Sequence, residues 1–127
     1  MRFARWSLWF GAVVFLGLGF LVVADPSTLS VSSGIEIPTP VARLEVRSGG
    51  GLYIGIGLFF AMAARQDGLL RIGLVAQLAM MAGLVIGRII GIFVDGSPGM
   101  FSVFWLGLES LMCVVALIAL SGLKKTT

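Results

Sequence analysis

The sequence predicts an all-α integral membrane protein, a four-transmembrane-helix bundle with both termini on the cytoplasmic side. Three observations predict it. Of the 127 residues, 12% are charged and 58% are hydrophobic before the 18 glycines are added. Soluble domains carry about 25% charged residues, so a chain this short has too little polar surface to cover its apolar mass in water. Mean hydropathy is +1.08. Four apolar runs follow, each near the roughly 20 residues that a helix needs to cross the hydrocarbon. The basic residues, finally, gather at one set of ends.

The first span covers residues 6–24, behind Arg2 and Arg5. Val22 and Ala24 fit a small-residue cleavage site, but the run exceeds the roughly 7–15 residues of a signal core, which favours a retained span. Residues 25–39 read as a polar extracytoplasmic loop, broken by Pro26, Gly34, Pro38 and a series of serines. Thr39 and Pro40 are a cap followed by proline in the first helical turn. The second span covers 40–64, with Arg43, Glu45 and Arg47 in its opening turns. A tight turn through Arg65, Gln66, Asp67 and Gly68 leads to the third span, 69–94. Asp95, Gly96, Ser97, Pro98 and Gly99 form the next turn, before a fourth span over 103–123 closed by Lys124 and Lys125.

Charge orients these spans. Four crossings put the N-terminus, the second turn and the C-terminus on one side. That side carries Arg2, Arg5, Arg65, Arg71, Lys124 and Lys125 against Asp67 alone. The other side carries Arg43, Arg47 and Arg88 against Asp25, Glu36, Glu45, Asp95 and Glu109. Positively charged loops stay in the cytoplasm, so the first side faces inward. Trp6 and Trp9 then lie at the inner interface and Trp105 at the outer one.

Composition also excludes chemistry. Histidine is absent, which removes His-ligated haem, His-containing zinc sites and imidazole catalysis. Asparagine is absent too, and with it any N-glycosylation site. Cys113 is the only cysteine, inside an apolar run where it reads as a small hydrophobe. The net charge of +3 is spread along helix ends without a basic stripe, so no nucleic-acid partner is expected. No cofactor, catalytic set or metal site is expected; arginines beside Glu45, Asp95 and Glu109 would compete with a cation for the same oxygens.

Two features ask for an explanation. Lipid supplies no hydrophobic force between helices, so small residues that let backbones meet become the packing signal. Gly83, Gly87 and Gly91 repeat every four residues on the third span, as do Gly51 and Gly55 on the second. They predict a helix–helix contact, either within the chain or in an oligomer. The second feature is charge within the membrane. A charge at mid-bilayer costs about 2.5–3.5 kcal/mol on insertion scales. Arg88 and Glu109 each lie six residues from the outer end of their span, about 9 Å deep at 1.5 Å per residue. Opposite in sign and equal in depth, they predict an ion pair. Arg47 sits about 10 Å into the second span by the same measure. Glu45 and Asp95 flank that level, and Tyr53 and Gln77 extend it inward. Such a cluster is either a structural lock or the lining of a small outward-facing pocket.

The order of these residues carries a resemblance. A polar or acidic position followed by Arg47, a Gly-Gly pair, Gly87-Arg88, Asp95-Gly96-x-Pro98 and Glu109 resembles the DUF4345 family of bacterial four-helix membrane proteins. The family pattern commonly has asparagine just before the second-helix arginine, and this chain has none. The match covers roughly Glu45 to Glu109 together with the topology. It implies a four-helix membrane fold similar in layout to DoxX-like proteins, with Arg47, Arg88, Asp95 and Glu109 as motif positions, and no activity. The glycine repeats, the balanced charges and the lack of catalytic chemistry favour a non-enzymatic role: an accessory subunit, or a binder of a lipid-like or quinone-like molecule. The expected partners are membrane lipids and either further copies of the chain or a larger membrane complex. The alternatives are a membrane enzyme acting on a hydrophobic substrate through Tyr53 or an arginine, and a small transporter driven by protonation of Glu109.

Overall fold

In the computed structural model, which describes residues 1–96 and 99–125 apart from the side chains of Ser32, Lys124 and Lys125, every regular element is a helix. They are α1 (Arg2–Ala24), α2 (Ser27–Ser33), α3 (Pro40–Arg65), α4 (Asp67–Asp95) and α5 (Met100–Lys125). Four of them are long and apolar enough to cross a membrane. Each runs past its predicted span by a few residues, because charged and aromatic ends continue the backbone hydrogen bonding beyond the hydrocarbon. Ser97 and Pro98 of the anticipated turn, and the side chains of Lys124 and Lys125, lie outside the described residues.

The long helices alternate in direction. Around the bundle α1 touches α3 and α5, α4 touches the same two, and α1 also meets α4 across the middle. The seam between α1 and α3 is the most extensive, and glycines set its spacing. A Cβ on Gly19 would lie 2.7 Å from the Gly50 carbonyl oxygen, and one on Gly57 would lie 2.9 Å from the Leu16 backbone nitrogen. Backbone therefore rests on backbone. Gly73 of α4 makes a similar approach, with its missing Cβ 2.6 Å from that of Ala63.

The repeated glycines read from the sequence lie elsewhere. A Cβ on Gly51, Gly55, Gly83, Gly87 or Gly91 would meet nothing within 4 Å. The intrachain form of that expectation is corrected: the ridge on α4 lies on the outside of the bundle. Close approach depends on which face a neighbour occupies, and four-residue spacing does not specify that face. Gly50, Gly57 and Ala64, spaced by seven, carry the buried stripe of α3 instead.

The connection from 25 to 39 also departs from a plain loop, since two turns of it form α2. Asp25 holds its start: the carboxylate accepts from the Ser27 amide at 3.0 Å and from the Ser27 hydroxyl. Gly34 closes it in the left-handed region at φ 75°, its amide donating to the Ser30 carbonyl at 2.9 Å. Serine competes with helix in a helix interior yet supports short capped turns, so a serine-rich segment can read as a loop and still form one. Pro26 and Ile37, buried at its flanks, fasten the segment to the bundle.

Candidate functional site in the outer half of the bundle

Arg88 and Glu109 form a side-on pair between α4 and α5. Arg88 Nε donates to Glu109 Oε2 at 2.8 Å and Nη2 to Oε1 at 3.1 Å. Such a two-bond fork fixes both side chains and is among the stronger ion-pair geometries. Glu109 is buried, with 7% of its side chain exposed, whereas Arg88 keeps 32%. The pair is thus sunk at Glu109 and partly accessible along Arg88.

The reachable side faces a cavity of about 110 Å³ to which all five helices contribute. Arg88 and Glu109 share its wall with Tyr53 of α3 and Trp105 of α5. Phe15 of α1 stands edge-on to Tyr53, with ring centroids 5.4 Å apart. Leu29 brings α2 to the same wall. Apart from Arg88 and Glu109, the lining residues are uncharged, and most of them are aliphatic or aromatic.

Sequence depth does not carry the remaining cluster residues into this site. Gln77, three turns inward of Arg88, is buried beside Ser7 of α1. The Ser7 hydroxyl donates to its side-chain oxygen at 3.1 Å, and its amide donates to the Ser7 carbonyl at 3.3 Å. Arg47 reaches across to α1, where Nη1 donates to the Val23 carbonyl at 2.5 Å. The last carbonyls of a helix lack intrahelical donors and carry partial negative charge, so a guanidinium there caps α1. Glu45 and Asp95 are exposed, and their side chains make no hydrogen bond or ion pair among the described residues. The expected seven-residue cluster is corrected to three residues at one cavity: Tyr53, Arg88 and Glu109.

The other end of the bundle repeats the capping device. Arg5 of α1 donates to the Ala64 carbonyl at the end of α3 at 2.7 Å and pairs with Asp67 at the start of α4. Arg5 and Arg47 therefore each tie off the neighbouring helix, one at either end of the α1/α3 pair. Among the described residues no group of three potential metal ligands comes together.

One protein family, described as a domain of unknown function (DUF4345), matches residues 3–120. The chain belongs to the DUF4345 family. The matched region of this DUF4345 chain takes in all the residues that line the cavity. No curated protein and no solved structure matches it. Of the four motif positions that the DUF4345 resemblance implies, the fold joins Arg88 to Glu109, sends Arg47 to the end of α1 and leaves Asp95 exposed.

The other wall residues, Trp105 and Leu29 among them, were not read from the sequence as site residues. Trp105 was assigned to the outer aromatic belt, and Leu29 to a loop. Trp105 lies four residues before Glu109, one helical turn, and this spacing was the available signal. Leu29 had none, because its placement depends on α2 folding back over the bundle.

Proposed function

We propose that this DUF4345 protein is a non-enzymatic multi-pass protein of the bacterial cytoplasmic membrane that binds a lipid-like molecule in its outer-half cavity. Both termini face the cytoplasm in this reading. The single observation that carries the binding role is the asymmetry of the ion pair. A lock between helices is best made dry, with both partners enclosed. Here the Arg88 side chain keeps about a third of its surface, beside aromatic rings and a cavity, while Glu109 is enclosed. Ionisable groups inside a membrane span are functional candidates by default, and a polar anchor above an apolar wall suits an amphiphile.

Orientation rests on the bias of lysine and arginine toward the end where Arg5 meets Asp67. A reporter active only in the cytoplasm should work when inserted at Gly68 and fail at Ser30. The reverse pattern would invert the site.

Binding is tested by native mass spectrometry on protein extracted in mild detergent. Wild type should retain an amphiphile through purification. Leu84→Trp, which fills the cavity from α4, should lose it while keeping its helical circular dichroism. Equal occupancy in the two proteins would refute the cavity as the binding site.

A further inference from the structure

We propose that the cavity selects an uncharged amphiphile whose polar end presents carbonyl oxygens, as an ester or a quinone does, over phosphate and ammonium headgroups. This rests on the binding role proposed above and names its ligand class. Charge comes first. Among the described residues that line the cavity, Arg88 and Glu109 alone are charged. Their fork satisfies both, with Nε and Nη2 already committed to the carboxylate. An anion drawn to Arg88 meets Glu109 at the same wall, and a cation drawn to Glu109 meets Arg88. Either would leave a net charge in a membrane site of low dielectric, an unfavourable exchange for its hydration outside.

Hydrogen-bonding capacity is the second constraint. Arg88 Nη1, the Tyr53 hydroxyl and the Trp105 indole nitrogen make no hydrogen bond among the described residues. No enclosed side-chain nitrogen or oxygen lacks a partner there, so these three atoms keep accessible surface. Arginine and tryptophan nitrogens can only donate, and the tyrosine hydroxyl donates as well. A wall rich in donors calls for acceptors on the ligand. Neutral carbonyls supply them without adding charge.

Size is the third. An apolar cavity of about 150 Å³ accepts one benzene ring. At about 110 Å³, this one has room for no more than one small ring or one ester-bearing unit, with the hydrocarbon tail outside it in the bilayer. Phe15, Tyr53 and Trp105 offer aromatic surface to either.

The test uses the full chain, stripped of lipid in detergent, with three probes at equal mole fraction. They are dioctanoylglycerol, a benzoquinone carrying a ten-carbon chain, and dioctanoyl phosphatidylglycerol. Retention is read by native mass spectrometry. At least one uncharged probe should bind about tenfold better than the phosphatidylglycerol, the scale of leaving one buried hydrogen-bonding group unpaired. The diacylglycerol alone would identify an ester site, and the benzoquinone alone a ring site. Tyr53→Phe keeps the ring against Phe15 and removes one donor, so it should weaken the preferred probe several-fold and leave the phosphatidylglycerol unchanged. Unaltered retention in Tyr53→Phe would overturn the donor assignment. Phosphatidylglycerol bound as well as or better than both uncharged probes would overturn the carbonyl selectivity yet leave lipid binding standing. Retention of none of the three would overturn both.

Discussion

The two helix pairs of this bundle are joined by opposite means. Along α1/α3 the backbones touch at glycine: Gly19 against Gly50, and Gly57 against Leu16. Arg5 and Arg47 close the ends of that pair on free carbonyls. Along the outer half of α4/α5 a Cβ on Gly83, Gly87 or Gly91 would meet nothing within 4 Å, and a charged fork makes the link. In lipid both are workable, because van der Waals contact and polar bonding are what remain once the hydrophobic force is gone. Their consequences differ. Glycine contact draws two helices together and leaves no room between them. An ion pair spans a longer gap on extended side chains, and such a gap can hold a cavity. The candidate site opens between the charged seam and the facing side of α1 and α3.

The largest effect expected from this contrast comes from placing one substitution on each kind of glycine. Gly19→Leu puts a side chain where the Gly50 carbonyl already sits, and neither backbone can yield without separating α1 from α3. A loss of about 3 kcal/mol or more, or failure to fold, is expected. Gly87→Leu enters open space and should stay within about 0.5 kcal/mol of wild type. Thermal melting in detergent checks both. If Gly19→Leu melts like wild type, the glycine seam does not hold the bundle. If Gly87→Leu instead lowers an oligomeric state seen by mass photometry, the outer ridge joins copies of the chain.

A smaller effect is expected at the charged seam. Removing one partner strands the other charge, which costs about 3–5 kcal/mol in fully buried pairs. Arg88 is partly accessible, so Arg88→Met and Glu109→Gln should each fall at or below the lower end of that range. The double variant should lose less than the sum of the two, because the groups touch. Strict additivity in a melting series would mean that the fork does not couple α4 to α5.

The spans were legible because hydropathy is a property of each segment alone. The ion pair was legible too. Depth along two antiparallel neighbours is nearly a one-dimensional quantity, and opposite sign does the rest. Gln77 and Arg47 show the limit: depth says nothing of azimuth. Gln77 faces Ser7 on α1, and Arg47 leaves the bundle interior for the Val23 carbonyl. The glycines fail for the same reason. A four-residue repeat marks a face, but the choice of face belongs to the partner helix. In α3 that choice fell on Gly50 and Gly57, one residue before Gly51 and two after Gly55.

The smallest effect expected concerns α2, which carries Leu29 to the cavity wall and begins at Asp25. The Asp25 carboxyl is held below the usual carboxylate range, chiefly by the Ser27 hydroxyl. The Ser27 amide and the charges of Arg43, 4.0 Å away, and Arg47 act in the same direction. A group whose folded value is depressed stabilises the fold above its unfolded value, near pH 4, and loses that contribution as pH falls through the folded value. Protonation removes the charge that strengthens the bonds from Ser27 and loosens the start of α2. The side chain is exposed, so the effect is modest, and its arginine part weakens with salt. Other acids titrate in the same window, which makes the difference between wild type and Asp25→Asn the useful quantity. Melting in nanodiscs should show wild type the more stable from neutral pH down to about pH 4, with the gap closing below that. A gap that persists at lower pH would mean that Asp25 acts through something other than its charge. A gap absent at neutral pH would mean that α2 does not depend on this carboxylate, and that Pro26 and Ile37 alone hold it over the cavity.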